Sequence, residues 1–71
     1  MRNRLKVLRA EHNLTQADLA EKVDVTRQTI IAVEKEKFDP SISLAYKISD
    51  VFGLPVEEIF LKPEVNTDEK G

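Results

Sequence analysis

Residues 14–36 read LTQADLAEKVDVTRQTIIAVEKE. This stretch contains the start signals of two helices. Thr15 and Asp18 stand three residues apart, and at a helix start each side chain can accept a hydrogen bond from the backbone N–H of the other. Thr26 is a second N-cap residue, because its hydroxyl can accept an N–H group that has no partner in the first helical turn. We therefore predict one helix after Thr15 and another after Thr26.

A very short connection joins these two helices. Only Asp24 and Val25 separate them, which is too few residues for an antiparallel hairpin, so the helices must cross steeply. Ala20 is small enough to let them approach closely. The stretch is therefore predicted to form a helix-turn-helix. Its inner face is expected to hold Leu19, Val23, Val25, Ile30 and Val33.

The rest of the sequence also shows helical spacing, and no period-two alternation lasts long enough to indicate a sheet. A first helix is predicted from the N-cap Asn3 to the neighbourhood of Asn13, and another lies between Ser41 and Gly53. Residues 56–60 are predicted to form a short fifth helix. The predicted fold class is all-α, with five helices and the helix-turn-helix at the second and third.

Length and composition narrow the possibilities further. The chain has 71 residues, no cysteine and one histidine, so neither a disulfide nor a structural zinc site is expected. We expect one domain over residues 1–61 and a flexible polar tail over residues 62–71. A domain of this size has a small core, which makes oligomerisation the expected supplement. No apolar run is long enough to span a membrane, and the sequence favours a cytoplasmic protein.

The charge of the chain is unevenly placed. The formal charge of the whole sequence is −2 at neutral pH. Residues 1–37 hold eight basic and six acidic side chains, a net charge of +2, whereas residues 38–71 hold three basic and seven acidic side chains, a net charge of −4. The predicted helix-turn-helix therefore lies in the basic half, and the acidic total does not argue against a nucleic-acid partner.

Six short motifs occur along the chain in a fixed order. They are LTQADLA at 14–20, VTRQTI at 25–30, VEK at 33–35, DPS at 39–41, AYKI at 45–48 and GLPVEEIF at 53–60. With these motifs at these spacings, the chain resembles the lambda repressor/Cro-like family of helix-turn-helix regulators, also called the Xre family. Asp24 stands where that family usually has a turn glycine. Aspartate is one of the few other residues that enter the left-handed backbone region.

The resemblance implies a homodimer that binds double-stranded DNA in a sequence-specific way, with the third helix in the major groove. Arginine can donate two hydrogen bonds to guanine, and glutamine can pair similarly with adenine. Without the resemblance to the family, Arg27 and Gln28 would be interpreted as ordinary solvated side chains. For Ile31, burial in the core beside Ile30 is as well supported as contact with DNA. The expected base-reading residues are Thr26, Arg27, Gln28, Ile31 and Ala32.

Phosphate contacts are expected on both sides of the reading helix. The unpaired N–H groups and the dipole at the start of the second helix suit an anion. Two of the expected phosphate-contacting residues, Lys35 and Lys37, could instead face solvent, because they lie in a stretch of alternating glutamate and lysine. Arg9 and Glu34 match family positions that form a salt bridge between the first and third helices, and removing one partner would strand a charge. The expected phosphate-contacting residues are Gln16, Lys35, Lys37 and Ser41.

The end of the predicted domain is more apolar than two short helices need for a small core. The resemblance implies a two-fold interface there, which would set two reading helices one DNA turn, roughly 34 Å, apart. The alternative is that Ile59 and Phe60 close the core of their own chain. The expected interface residues are Leu54, Val56, Ile59, Phe60 and Leu61.

Other classes of function receive less support from the sequence. The chain has no glycine-rich phosphate loop, no metal-ligand cluster and no suitable pair of catalytic carboxylates. We therefore expect no enzyme activity, no cofactor and no small-molecule ligand. An interaction module of the same fold that does not bind DNA, and an antitoxin that represses its own operon, stay open. The presence of Arg27 and Gln28 favours DNA binding over the interaction module.

Overall fold

A computed structural model describes residues 2–61 of the chain. Most of these residues are helical, which confirms the predicted all-α class with five helices. The tail predicted for residues 62–71 lies outside the described residues. In chain order the elements are β1 (Arg2–Asn3), α1 (Leu5–Glu11), α2 (Gln16–Lys22), α3 (Arg27–Glu34), α4 (Ile42–Phe52), α5 (Val56–Ile59) and β2 (Phe60–Leu61).

A pair of short strands corrects the expectation that no sheet forms. β1 and β2 are antiparallel, with Arg2 opposite Leu61 and Asn3 opposite Phe60. Each strand has only two residues, which is too short to show the period-two alternation by which a strand is recognised in a sequence. The pairing also ends α5 at Ile59, one residue earlier than predicted.

Side chains cap α2, α3 and α4 at the predicted positions. Thr15 accepts a hydrogen bond from the N–H of Asp18 at 2.9 Å, and the Asp18 carboxylate accepts one from the N–H of Thr15 at 3.0 Å. Thr26 and Ser41 each accept from the N–H three residues further on. The predicted cap at Asn3 is wrong, because Arg4 is the N-cap of α1 and makes no side-chain capping bond, although the Asn3 side chain accepts the N–H of Leu5 at 3.1 Å. Three helix starts are therefore fixed by side-chain caps.

The helices α1 to α4 are each followed by a residue with a left-handed backbone. The φ angles are 56° at Asn13, 61° at Asp24, 64° at Glu36 and 66° at Gly53. After α1, α2 and α3, this residue and the next one both donate their N–H groups back to carbonyls of the last turn. Asp24 adopts the left-handed backbone expected of aspartate at the turn, and Asn13 and Gly53 mark the predicted ends of α1 and α4. The turn at Glu36 is not predicted, because glutamate rarely adopts this conformation.

Replacing Glu36 with glycine is expected to raise the free energy of unfolding by about 1 kcal/mol, because glycine adopts the left-handed region without a Cβ clash. Glu36→Ala is the matched control, since it removes the carboxylate but keeps the Cβ, and we expect it to change stability little. Urea unfolding followed by circular dichroism compares the three proteins. Equal stabilisation by alanine and glycine would assign the effect to the charge and would contradict backbone strain.

The core lies between the five helices. Ala20 is 3% exposed, so its small side chain allows α2 and α3 to pack closely, as predicted. Ile59 and Phe60 are 0% and 6% exposed within their own chain. They close the core of their own chain, which was the alternative prediction, and this corrects their assignment to a surface shared between two chains. The buried residues are Leu5, Leu8, Leu19, Ala20, Val23, Ile30, Val33, Leu44, Ala45, Ile48, Phe52, Ile59 and Phe60.

Candidate nucleic-acid interface

The helix α3 has a buried face and an open face. Ile30 and Val33 are fully buried in the core. Successive residues of a helix turn by about 100°, so positions 28, 31, 32 and 35 fall on the side opposite this pair, and position 27 lies about a quarter turn from the pair, at the edge of that side. Positions 27, 28 and 35 are exposed, and positions 31 and 32 are half-buried. The open face therefore contains four of the five predicted base-reading residues, Arg27, Gln28, Ile31 and Ala32, together with Lys35.

Arg27 and Gln28 form the first turn of α3 and are both exposed. Neither side chain makes a hydrogen bond or an ion pair within residues 2–61. The guanidinium and the amide are therefore available to an outside partner. Their hydrogen-bonding groups are of the kinds that match the major-groove edges of guanine and adenine.

The other predicted reading residues have less freedom. The Thr26 hydroxyl accepts the N–H of Thr29 at 3.2 Å and lies 3.0 Å from the Thr29 hydroxyl. The Thr26 hydroxyl is thus engaged with Thr29, and the methyl group of Thr26 is uncommitted. Ile31 is half-buried but does not belong to the core cluster, so the alternative of full burial beside Ile30 does not hold. Thr26, Ile31 and Ala32 can therefore offer small apolar contacts.

A hydrogen-bonded network holds the end of α3. Arg9 of α1 binds both carboxylate oxygens of Glu34, with its Nε 2.5 Å from Oε2 and its Nη2 3.0 Å from Oε1. Nη1 of Arg9 also donates to the Leu14 carbonyl at 3.0 Å. Gln16 of α2 donates to Oε1 of Glu34 at 3.2 Å. The hydrogen bond to Glu34 raises the pKa of Arg9 above its ordinary value. The predicted salt bridge is present, and it joins α1 to α3.

The predicted phosphate-contacting residues lie at both ends of the helix-turn-helix. Gln16 is the first residue of α2. Its amide carries two N–H groups and uses one for Glu34. Lys35 and Lys37 are exposed at and after the end of α3. The Ser41 hydroxyl accepts the N–H of Leu44 at 3.1 Å, which leaves its own O–H to donate. Each of the four therefore still has a donor to offer.

The pKa of Asp18, at the start of α2, lies below its ordinary value. The main cause is the hydrogen bond from the backbone N–H of Thr15, and the second is the hydrogen bond with the Thr15 side chain. Because the folded pKa is lower than the unfolded one, the ionised carboxylate stabilises the fold above about pH 4 and loses this effect as the pH falls through the folded pKa.

Asp18→Asn is therefore expected to be less stable than the wild type at neutral pH, by a margin that shrinks in acid. Urea unfolding at a series of pH values measures this margin. Asn keeps a side-chain oxygen that can accept the Thr15 N–H but cannot ionise, so it isolates the charge. A margin that stays constant down to the most acidic pH at which both proteins fold would contradict the assignment.

An apolar groove between α4 and α5 is not predicted by the sequence analysis. Ile42 and Tyr46 lie on the outer side of α4 and are 75% and 62% exposed. Their four-residue spacing, on the side of the helix away from the core stripe, is a signal that could have found it. Of the five predicted interface residues, Val56 lines this groove, whereas Leu54 and Leu61 are half-buried elsewhere. The α4–α5 groove encloses about 510 Å³ and is lined by Ile42, Ala45, Tyr46, Ser49, Pro55, Val56 and Glu57.

Two other kinds of site are absent from the described part of the chain. Within residues 2–61, no three His, Cys, Asp or Glu side chains are grouped so that they could hold a metal ion. None of the helices in this range has the length and apolar character needed to cross a bilayer.

Comparison with known proteins agrees with this architecture. A helix-turn-helix family profile matches residues 5–59. An HTH-type transcriptional regulator of Methanocaldococcus jannaschii is 61% identical over 61 residues, which cover 86% of this chain and 92% of that protein. The HTH-type regulator YgzD of Bacillus subtilis is 44% identical over 66 residues, covering 93% of this chain and 100% of its own length.

A more distant relative comes from a phage. The cryptic phage CTXphi transcriptional repressor RstR from Vibrio cholerae is 31% identical over 68 residues, which cover 96% of this chain and 61% of the repressor. The profile match spans more than half of the chain, and it includes α2, α3 and the turn between them. The chain therefore belongs to the lambda repressor/Cro-like, or Xre, family of helix-turn-helix transcriptional regulators, which bind DNA and are not enzymes.

Proposed function

We propose that this protein is a cytoplasmic repressor that binds a pseudo-palindromic operator as a homodimer, with α3 of each protomer in the major groove. The open face of α3 carries the proposal, because Arg27 and Gln28 are exposed there without a partner within residues 2–61. The phage repressor among the relatives supports repression. A domain that occupies promoter DNA represses by excluding other proteins from it.

Each residue of the open face suits a definite part of the operator. Arg27 donates a pair of hydrogen bonds to the O6 and N7 atoms of a guanine, and Gln28 pairs with the N6 and N7 atoms of an adenine. The methyl groups of Thr26, Ile31 and Ala32 contact thymine methyl groups. These contacts read sequence, so the protein is expected to distinguish one operator from other DNA.

Contacts to phosphates orient the protein without reading sequence. Gln16 and the first N–H groups of α2 contact one side of the groove, and Lys35, Lys37 and Ser41 contact the other. The basic charge of residues 1–37 supports this side of the molecule as the one that faces DNA. Affinity for any duplex is therefore expected to fall as salt is raised.

The α4–α5 groove supports the homodimer. The M. jannaschii and B. subtilis relatives have almost no length beyond the part that this chain matches. In those two relatives, an additional domain could therefore not cover a groove at this position. Ile42 and Tyr46 protrude beside the recess formed with Pro55 and Val56. In a two-fold interface the same patch of each protomer contacts the other, so the patch must contain both a projecting part and a recess that receives it. The α4–α5 groove has both.

Polar groups at the groove fit the same arrangement. The Tyr46 hydroxyl is a donor and the Glu57 carboxylate is an acceptor, and both residues are exposed along the groove. Neither makes a hydrogen bond within residues 2–61. In a two-fold pair, Tyr46 of each protomer would face Glu57 of the partner, which gives two hydrogen bonds across the interface.

Ile42→Asp is expected to dissociate the dimer, because it places a charge in the centre of an apolar interface. Val7→Asp is the matched control, since Val7 is also an exposed apolar residue, at 51%, but lies on α1 and does not line the groove. Sedimentation equilibrium of the three proteins measures the association. A wild type that is monomeric at all concentrations, or a control that dissociates as readily as Ile42→Asp, would overturn this interface.

Selection of bound sequences from a random pool of double-stranded DNA tests the proposed function. We expect one half-site to be enriched in two inverted copies, with centres about one helical turn apart. A single half-site without a repeat would support DNA reading and contradict the dimer. Failure to enrich any sequence would overturn the proposal in favour of an interaction module that does not bind DNA.

A further inference from the structure

We propose that Asn3 is a positioning residue for the reading helix: its side chain ties the C-terminal end of α3 to the strand pair and so fixes how the open face meets DNA. This inference rests on the proposed function. The residue lies outside α2 and α3 and does not lie on the open face of α3. Its effect on DNA binding would act entirely through the placement of α3.

Two hydrogen bonds of the Asn3 side chain point in different directions. Its Nδ2 donates to the carbonyl oxygen of Val33 at 2.8 Å, across 30 positions of the sequence. Its Oδ1 accepts the N–H of Leu5 at 3.1 Å. The amide therefore directs one N–H group to α3 and its oxygen to α1, and this sets which end of the amide faces which helix. Asn3 itself is held in β1 opposite Phe60.

The end of α3 is held from three elements at once. Asn3 of β1 binds the Val33 carbonyl, while Arg9 of α1 and Gln16 of α2 bind the carboxylate of the neighbouring Glu34. The Val33 carbonyl also accepts the N–H of the left-handed residue at position 36. All of these contacts lie at the last turn of α3 and leave its open face uncovered. They restrain the direction of the helix axis without touching the groups that read bases.

Asn3 also connects α3 to the C-terminal part of the domain, and this connection matters for DNA binding. β1 pairs with β2, and the residue after β1, Arg4, donates its N–H to the carbonyl of Ile59 in α5 at 2.9 Å. The path from α5 to α3 through Asn3 is therefore continuous. In a dimer formed at the α4–α5 groove, this path helps to set the position of each reading helix relative to the two-fold axis. Bidentate hydrogen bonds to bases need this placement, because they are directional.

Two substitutions of Asn3 test the inference. Asn3→Asp keeps an acceptor for Leu5 but loses the donor to Val33 and places a second oxygen near its carbonyl. Asn3→Ser keeps a short acceptor, adds no charge and cannot reach Val33. Asn13→Asp is the matched control, because it makes the same chemical change at an exposed position whose left-handed backbone suits aspartate as well as asparagine.

Binding is measured to the operator selected for the wild type and to random duplex of equal length, at a temperature where circular dichroism shows each protein to be folded. We expect both Asn3 variants to bind the operator about tenfold more weakly, with less than about a twofold change on random duplex. Asn13→Asp should match the wild type on both. Folded Asn3 variants with wild-type operator affinity, or with equal losses on both duplexes, would overturn the role of Asn3 alone. A wild type that selects no sequence would overturn the proposed function and this role together.

Discussion

Arg9→Met is expected to lower the free energy of unfolding by about 3 kcal/mol, because it leaves a poorly solvated carboxylate without its cation. The Glu34 side chain is only 8% exposed and the Arg9 side chain 14%. Without Arg9, Glu34 retains a single side-chain hydrogen bond, from Gln16. A loss of this size is a large part of the stability of a small domain. Urea unfolding followed by circular dichroism measures it.

The double variant Arg9→Met/Glu34→Leu is the control for this explanation. It removes both charges and replaces them with apolar side chains, so no uncompensated charge is left. We expect its stability to lie within about 1 kcal/mol of the wild type. A double variant as unstable as Arg9→Met would assign the loss to packing or to the Arg9 bond with the Leu14 carbonyl, and it would contradict the stranded-charge explanation.

Arg27→Ala is expected to weaken operator binding by about 1–3 kcal/mol in each half-site, which is about 2–6 kcal/mol for a dimer on two half-sites. The side chain is exposed and has no partner within residues 2–61, so its removal should leave the fold intact. The preference at one base pair of each half-site should relax. Repeating the selection from random DNA with the variant shows which position loses its preference.

Lys37→Ala separates reading from simple charge attraction. This lysine is exposed after α3, and a phosphate contact there would weaken binding to all sequences and reduce the salt dependence. Arg27→Ala should instead lose much more affinity on the operator than on random duplex. If the two variants lose affinity in the same proportion on both duplexes, Arg27 contacts phosphate and does not read a base.

Local chemistry explains why much of the fold could be predicted. The caps at Thr15, Thr26 and Ser41 depend on groups three residues apart, and the left-handed turns at Asn13 and Asp24 depend on single residue types. Signals of this range are contained in a short stretch of sequence. The helix-turn-helix follows from two such stretches placed close together.

Contacts between distant residues account for what could not be predicted. Asn3 and Val33 are 30 positions apart, and no local pattern joins them. The same holds for the strand pair that joins residues 2–3 to residues 60–61. Arg9 and Glu34 are 25 positions apart, and their pairing was indicated by the family resemblance alone.

The residues of the proposed interface between protomers could be predicted only in part. Apolar residues near the end of the domain indicated a surface, but Ile59 and Phe60 turned out to be needed by the protomer's own core. A small chain cannot fill its interior and also spare every apolar side chain of its last helix. Ile42 and Tyr46, which the core does not use, are the more exposed apolar pair.

The left-handed residues after the first three helices also affect the unfolded chain. Asn13, Asp24 and Glu36 occupy positions where glycine would fit most easily, and the whole sequence contains only two glycines. At Asn13 and Asp24, a residue other than glycine leaves the unfolded chain fewer conformations, which favours folding by about 0.4–1 kcal/mol per position and can offset a small backbone strain. At Glu36 the strain exceeds this gain, in line with the stabilisation expected for glycine there. The domain thus draws part of its stability from restricting its unfolded state, without a disulfide.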